Sequence, residues 1–576
     1  MATVKTSHHR TAPTGRVSVA TIAMLGVAAV VYVMVPTSAQ QGTATGVIAG
    51  KVTADAGDVV ALRVKARDTV HKIAYTVFTQ GGRYQIHNLP PSTYDVQVLE
   101  AQFDSPARTV VVTAGTTQTA DLVLRSTGPA PVLTAGNQDA AAVDLVDFDT
   151  LYPPSPARDV MLRNCFTCHG LRLGWHNRGR KTEAQWRREV NTMFRDDHRI
   201  ANVQPGVPMV TTERVSEEEK EGIIQYLTQQ FGPNSTPRDL KLDTLVRDET
   251  ALAEVMYVQF DVPPPTFEGF SNTGDPGVGL HDVHVSPSQP GVIWITGNQS
   301  GSIVKIDTRT LDYMDRTTRW RIPHPDNLNV VPHGIIERNE LVYWTELAGD
   351  RIGVLDPKTD EIFAYGLPTE GGGAHTLRAD TRGNIWYTNY AASGRIGRLN
   401  LASREVREYE PSPGFSGYGL TTDNKDRVWA VGLNERALLG YDPKTDLWTS
   451  YPLSSAGRRP AVDSKGQVWV AEFYGNRIAM LDPESGTLTE HELPLKYGDP
   501  YELIADSQDN IWVENTAYNS LVKFDQTTNE STYVPYPEIK AATVKFEREP
   551  DDTIWFIMGR PPTLTGFKPR GNVAAR

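Results

Sequence analysis

From residue 255 onward, apolar and polar positions recur with a long period. Trp stands at 294, 344, 386, 429, 469, 512 and 555, so successive copies lie 40 to 50 residues apart. In the second copy Tyr343 fits the register better than Trp344. Each copy runs through a polar turn such as Asp380-Thr381-Arg382-Gly383, an Ile/Val-Trp strand, a Gly/Asn turn, a strand ending near Asp-Pro and a last strand ending near Tyr-x-x-Pro. Four short strands at a period of about 43 residues predict a β-propeller over 255–570, and seven copies predict seven blades. The run from Met256 to Pro263 looks like an outer strand with no blade before it, while the seventh copy ends soon after Gly566-Phe567. The early strand is therefore expected to complete the last blade and remove two open edges.

The rest of the chain has other periods. Over 44–125, stretches such as Gly82–Ile86 and Tyr94–Val98 alternate on either side of the turn Asn88-Leu89-Pro90-Pro91, which predicts a small antiparallel β-sandwich. Residues 126–146 are rich in Ala, Gly, Pro and Thr and read as a linker. Helical periodicity appears at 156–164, 182–194 and 216–231, the last opening on Ser216 followed by three glutamates that suit a helix N-terminus. Residues 147–232 are thus expected to form a small α-helical domain. The fold class is multidomain and mainly β.

At the start, Lys5, Arg10 and Arg16 precede an apolar run from Val17 to Val35 and then Pro36-Thr37-Ser38-Ala39. This is the pattern of a signal peptide over 1–39 with cleavage near Ala39. The run is also long enough for an uncleaved anchor. No Arg-Arg pair precedes it, so the general secretion route and a periplasmic location are expected, with membrane attachment only if the segment is retained.

Composition narrows the function. Of 576 residues 39% are hydrophobic and the net charge is −12. Global disorder is excluded, and nucleic acid, which needs a basic surface, is not an expected partner. The chain has two cysteines, Cys165 and Cys168, which excludes a disulfide scaffold. They stand in Asn164-Cys165-Phe166-Thr167-Cys168-His169, the C-x-x-C-H pattern of covalent haem attachment. Two thiols at this spacing add to the two vinyl groups, and His169 presents a ring nitrogen to the iron. A zinc site would want further Cys or His at short spacing, and a thioredoxin-like pair would sit in an α/β pattern.

Of 13 His, five lie between 281 and 375. His281, His333 and His375 occupy one repeat position, at the start of the innermost strand, where Tyr418, Arg458-Arg459 and Tyr501 stand in later copies. Equivalent positions in successive blades lie side by side, so three imidazoles are expected along one arc of the channel mouth. A second ring, three residues after the Trp register, holds Glu346, Asn389, Glu472 and Asn515. Imidazoles and carboxylates converging there suit a divalent metal or acid–base work.

Three resemblances follow. The run "GRYQIHNLPPSTYDVQV" after Gly46–Val52 resembles the carboxypeptidase regulatory-like domain, a module usually without catalysis of its own. The haem motif after a short helix, with Gly206-Val207-Pro208-Met209 before a last helix, resembles class I cytochromes c. That likeness implies Met209 as sixth iron ligand, with Met193, His198 and His176 as competitors. A thioether ligand raises the potential relative to bis-His. The propeller repeat, with "Pro-His-Gly-Ile" at His333, resembles the virginiamycin B lyase (streptogramin lyase) family of seven-bladed propellers. That likeness implies a magnesium site of His and Glu, matched here by His333, Glu346 and Glu472, and a His acting as base. Val331 and Gly373 stand where that family carries a Glu two residues before its catalytic His, and the histidines here fall in the first three blades. The expected function is an exported c-type haem oxidoreductase: a small organic substrate binds the propeller face, and one covalent haem c relays electrons to a redox partner protein. The alternatives are a metal-dependent lyase or hydrolase, and an electron-transfer subunit whose propeller is a docking platform.

Overall fold

A computed structural model describes residues 44–129, 143–166, 170, 180–194, 215–266, 279–324, 329–390, 394–412, 415–433, 435–538, 545–558 and 562–572. Six copies of the repeat each form a four-stranded antiparallel sheet, from blade 1 (Leu280–Arg321) through blade 2 (Pro332–Gly366), blade 3 (Ala374–Tyr409), blade 4 (Gly417–Pro452) and blade 5 (Gly457–Glu492) to blade 6 (Pro500–Pro535). Blade 7 has three strands from the end of the chain, Glu547–Arg548, Ile554–Met558 and Thr563–Lys568, and takes Met256–Asp261 as its fourth.

The repeat has a local cause. In blades 3 to 6 an Asp six residues before the Trp accepts its indole N–H, as Asp380 does from Trp386 at 2.9 Å and Asp506 from Trp512 at 2.9 Å. The same carboxylates accept the N–H groups of the turn that starts the Trp strand, as Asp463 does from Lys465 and Gln467. The next blade is tied on at that turn: Thr381, Ser464 and Ser507 each donate through N–H and hydroxyl to Asp426, Asp509 and Asp552 respectively. The indoles are buried between sheets. The ring closes on apolar clusters, with Trp555 and Ile557 of blade 7 against Val283 and Ile293 of blade 1, and Phe556 and Phe567 against Trp512 and Leu521 of blade 6.

The region expected as a separate sandwich does contain two sheets. One joins Arg83–Leu89, Gly46–Ala54, Leu122–Ser126 and Phe103–Asp104; the other joins Ile73–Phe78, Arg63–Asp68, Ser92–Val98 and Arg108–Val112. The second sheet does not end there. Ile73–Phe78 pairs antiparallel with Met256–Asp261, so blade 7 and the sandwich share one eight-stranded sheet.

Helices α1 (Phe148–Leu151), α2 (Pro156–Asn164), α3 (Glu183–Met193) and α4 (Glu217–Phe231) come next, and α5 (Glu249–Glu254) leads into the closing strand. Ser216 caps α4 through a reciprocal pair with Glu219. A separate helical domain, as expected from the sequence, is not what the packing gives. Met161, Phe166, Trp186, Ile223 and Leu227 form one apolar cluster with Ala517 and Tyr518 of blade 6, and Tyr474 and Tyr497 pack against it. The amphipathic helices are too short to bury their apolar faces among themselves, and the propeller supplies the missing surface.

Residues 1–39, expected as leader or anchor, lie outside the described residues, as do Cys168, His169, Met209 and the competing His176 and His198. Among the described residues no helix is long and apolar enough to cross a membrane.

A buried ion network fixes the sandwich to the propeller. Glu100 accepts from Arg63 Nε at 2.9 Å and from Arg247 Nη1 at 2.8 Å, and Arg63 also donates to the carbonyl of Tyr536 beyond blade 6. Burial opposes ionisation of Glu100, but Arg63 and Arg247 outweigh it and hold its pKa down at about 2. Its contribution to stability is therefore fully present above about pH 4.5, the ordinary glutamate value, and is lost as pH falls from there toward 2. Glu100→Gln leaves two guanidiniums without their carboxylate and is expected to cost about 3–5 kcal/mol. Urea unfolding at pH 7 and pH 3 checks this: the variant loses the wild type's acid dependence in that window.

Candidate functional site

The channel mouth is built by a repeated irregularity. In blades 1 to 6 the pairing of the innermost strand slips at the same place: between Leu280 and Val283, Pro332 and Ile335, Ala374 and Leu377, Gly417 and Leu420, Gly457 and Pro460, and Pro500 and Leu503. Such a bulge frees two successive residues from the strict alternation of a strand, and bulges re-aim side chains at sites. The pairs so released are His281-Asp282, His333-Gly334, His375-Thr376, Tyr418-Gly419, Arg458-Arg459 and Tyr501-Glu502. Gly334 and Gly419 are required by crowding: a Cβ at Gly419 would lie 2.1 Å from the carbonyl oxygen of Arg458, and one at Gly334 2.8 Å from that of His375.

The three histidines are brought together as expected. Ring centroids lie 4.2 Å apart for His281 and His333 and 3.9 Å for His333 and His375. Their roles differ. His281 is the most exposed, and its Nδ1 lies 2.8 Å from Asp282 Oδ1; a carboxylate accepts, so Nδ1 carries the proton and Nε2 is the ring nitrogen left to accept one. His375 Nδ1 donates to the carbonyl of Tyr418 at 3.2 Å. His333 is buried and its Nδ1 has no hydrogen-bond partner among the described residues. Burial, then the neighbouring imidazoles, holds His333 well below the usual histidine range; burial, then Arg459, does the same for His375. Both are neutral imidazoles at neutral pH.

Beneath them lies a buried charge network absent from the sequence reading. Asp282 Oδ2 is 3.7 Å from Lys545 Nζ, Asp282 Oδ1 is 3.8 Å from Arg459 Nη2, and Arg459 Nε is 3.2 Å from Glu502. Lys545 and Arg378 lie 3.3 and 3.8 Å from Glu547. Burial resists ionisation of Asp282, but Lys545 and Arg459 hold it well below the usual carboxylate range. Burial pushes Glu502 the other way, up to about 7, against the pull of Arg459. Asp282 and Glu502 each follow a residue of the named ring in the chain, so the available signal was the charge beside it; Lys545 is the blade 7 counterpart of the same position.

Glu346 and Glu472 are buried, but their bonds serve their own blades. Glu346 accepts from Arg351 Nε at 2.6 Å and from the Trp344 indole at 3.3 Å. Glu472 accepts from the N–H and hydroxyl of Ser455 at 2.7 and 2.9 Å, and burial raises it to about 7. Among the described residues the set that could hold a metal is His281, Asp282 and His333, whose ligand atoms lie within 4.8 Å of one another; His375, expected in it, is turned to Tyr418 instead.

Cys165, Phe166 and Gly170, the described residues at the C-x-x-C-H pattern, lie on this same face. The innermost strands begin opposite the ends of the second strands, as Gly457 pairs Glu472 and Pro500 pairs Asn515, and the turns Phe473–Gly475 and Thr516–Tyr518 follow directly. Cys165 caps the C-terminus of α2 and packs, half-buried, against the cluster shared with these turns. Gly170 sits so close that a Cβ there would be 2.6 Å from Asp499 Oδ2 and 2.9 Å from Phe473 Cζ. From Phe473 rings follow to Tyr501, Tyr418, His375, His333 and His281 with no centroid step longer than 6.3 Å. Met193 ends α3, partly buried, beyond the core residues Trp186 and Val190.

No family model and no curated protein matches the chain. Its structural neighbours are virginiamycin B lyase-like β-propellers. Virginiamycin B lyase from Staphylococcus aureus is 21% identical, with a TM-score of 0.47 over 55% of this chain and 99% of its own. A streptogramin B lyase is 19% identical, with a TM-score of 0.47 over 55% and 97%. The hydrazine synthase of Kuenenia stuttgartiensis is 11% identical, with a TM-score of 0.41 over 51% and 96%. At these identities the likeness is one of fold alone.

The network makes a direct test of which polar group the mouth depends on. Asp282→Asn strips Lys545 and Arg459 of their shared carboxylate and is expected to lower stability by about 3–5 kcal/mol. His333→Ala removes no ion-pair partner and is expected to cost less. Chemical denaturation of both variants at pH 7 checks the order.

Proposed function

We propose that the chain is an exported c-type haem oxidoreductase in which a small organic substrate is oxidised at the propeller mouth. The observation that carries this reading is placement: Cys165, Gly170 and the three histidines lie on one face, with ring contacts running from Phe473, beside Gly170, to His281.

The residues present suit a haem c. Cys165 lies against an apolar cluster at a helix end, and a cavity of about 290 Å³ opens near it, lined by Phe148, Leu162, Tyr474 and Tyr497 and, on its polar side, by Asn476, Glu492 and Lys496. Cys165 and Cys168 would hold the macrocycle and His169 the iron, with Met209 as the proposed sixth ligand. When bound, such a haem supplies a one-electron acceptor able to pass its charge to a redox partner protein.

This chain's own residues would manage the proton. His281 is the base, accepting at Nε2; Asp282 is the positioning residue that fixes the tautomer and favours the imidazolium as it forms. Lys545 and Arg459 keep Asp282 ionised for that task. Neutral His333 and His375 stack beside His281. Export to the periplasm agrees with a covalently attached haem and with the apolar run near residue 17.

A metal-dependent lyase is the weaker reading. Its cation would have to share Asp282 with Lys545 and Arg459, which already stand within 4 Å of it. Like charge and lost solvation both oppose a further dication there.

The test is spectroscopic. Purified periplasmic protein is expected to carry one haem per chain by pyridine haemochrome assay, and the double variant Cys165→Ser, Cys168→Ser to lose the covalent link. With a turned-over substrate the reduced α-band is expected to appear, and His281→Gln to slow its appearance by about 10²-fold or more at unchanged haem content. Turnover with the haem oxidised throughout would sink the oxidoreductase. Reduction by partner proteins alone, with no small-molecule reductant acting, would leave an electron-transfer subunit on a docking platform.

A further inference from the structure

The neutral imidazoles leave one group of the mouth unexplained. Arg458, in the ring position shared with the histidines, is 1% exposed. A guanidinium stays charged at any physiological pH. Yet among the described residues Arg458 has no carboxylate within ion-pair distance. Its Nη1 reaches only carbonyls, Leu433 at 3.2 Å and Gly457 at 3.5 Å, and its Nη2 has no hydrogen-bond partner. The guanidinium lies over Phe473 at 4.4 Å and Tyr418 at 5.2 Å. Ring faces offset part of the cost of burying a cation, but they leave the in-plane donors unmet.

The neighbouring groups point the same way. Arg459, 2% exposed, keeps Nε and Nη2 outside hydrogen-bonding geometry although Glu502 and Asp282 lie nearby. In the ion network beneath the histidines three cations, Arg378, Arg459 and Lys545, stand against three carboxylates, Asp282, Glu502 and Glu547, and Arg458 is not part of it. Tyr418 and Tyr501 touch hydroxyl to hydroxyl beside Arg458, which leaves one O–H of the pair to donate. A buried guanidinium with an unpartnered Nη2 and no carboxylate at ion-pair distance among the described residues is the receptor half of a carboxylate pair.

We propose that the mouth between Tyr418, Arg458 and Tyr501 is a carboxylate-binding site, with the carboxylate accepting from the free edge of Arg458 while its apolar body lies against the tyrosine and histidine rings. Calling that carboxylate a substrate rests on the function proposed above; the binding itself does not. A haem propionate has the same chemistry, and Phe473, beneath Arg458, also faces Gly170 of the haem segment. The substrate group and the propionate are therefore separated by the test.

Holoprotein is titrated with benzoate, and in parallel with its neutral isostere benzamide, at constant ionic strength, followed by intrinsic fluorescence and calorimetry. Saturable binding of benzoate at least tenfold tighter than benzamide, weakened at least tenfold in Arg458→Gln and partly restored in Arg458→Lys, marks a site for a free organic acid. If benzoate does not bind but Arg458→Gln shifts the haem midpoint potential, the site holds a propionate. Equal binding of benzoate and benzamide, or no benzoate binding together with an unmoved potential, overturns the proposal. If Arg458→Gln fails to fold, the benzoate–benzamide comparison and the Arg458→Lys variant still decide it. Because the titration needs no turnover, benzoate binding in a protein whose haem is never reduced would retain the site and reject the oxidoreductase.

Discussion

The architecture depends on a single strand that is paired on both edges. Met256–Asp261 runs between Thr563–Lys568 of blade 7 and Ile73–Phe78 of the sandwich, in register over its whole length with the first. Its two faces feed different cores. Met256, Val258 and Phe260 pack toward blade 1, and Tyr257 packs with Phe567 and Trp512 toward blade 6. A propeller closed by such a strand has no open edge at the seam, and here the strand's outer edge is covered too. The position of every innermost strand, and so of every side chain at the mouth, follows from that closure. The sandwich is a lock on the ring rather than an appended module, and Glu100 holds it there through Arg63 and Arg247.

At the mouth the decisive competition is between desolvation and pairing. Asp282 and Glu502 are both buried carboxylates beside Arg459, yet one is held ionised and the other is raised to about 7. The difference is the second cation. Lys545 and Arg459 flank Asp282, whereas Glu502 has Arg459 as its near partner. That asymmetry keeps Asp282 anionic beside His281 Nδ1, with two cations already within 4 Å of it.

The Trp period, the strand-by-strand copy and the closing strand were legible in the sequence because each is written as spacing between apolar residues. The convergence of His281, His333 and His375 was legible for the same reason. What escaped was what a period cannot encode. Asp282 sits one residue past His281, on the wrong side of a strict alternation, and only the bulge brings it to the mouth. Lys545 joins it from the far end of the chain. Glu346 and Glu472 recur in register, but recurrence follows equally from capping a blade, which is what Arg351 and Ser455 have them do. The boundaries of the three expected bodies were drawn at changes of period, and period says nothing about a sheet or a core shared across them.

The division of labour around the ring has a simple physical basis. Blades 3 to 6 share one Asp–Trp turn, and every blade buries its Trp indole against a carboxylate, so one blade differs from another chiefly in its connections and its bulge residues. Blades 1 to 3 place imidazoles at the bulge. Blades 5 and 6 instead follow their second strand with a short 3₁₀ turn ending in a left-handed Asn, Asn476 at φ 55° and Asn519 at φ 48°. Asn tolerates that conformation better than most residues, and the turns raise Tyr474, Ala517 and Tyr518 as the apolar shelf on which α2 and its neighbours rest. Imidazoles on one arc and a helix platform on the other, with Arg458 between them over Phe473 and Tyr418, come from substitutions at two positions of one repeated frame. An otherwise symmetric ring thereby acquires a single polarised face.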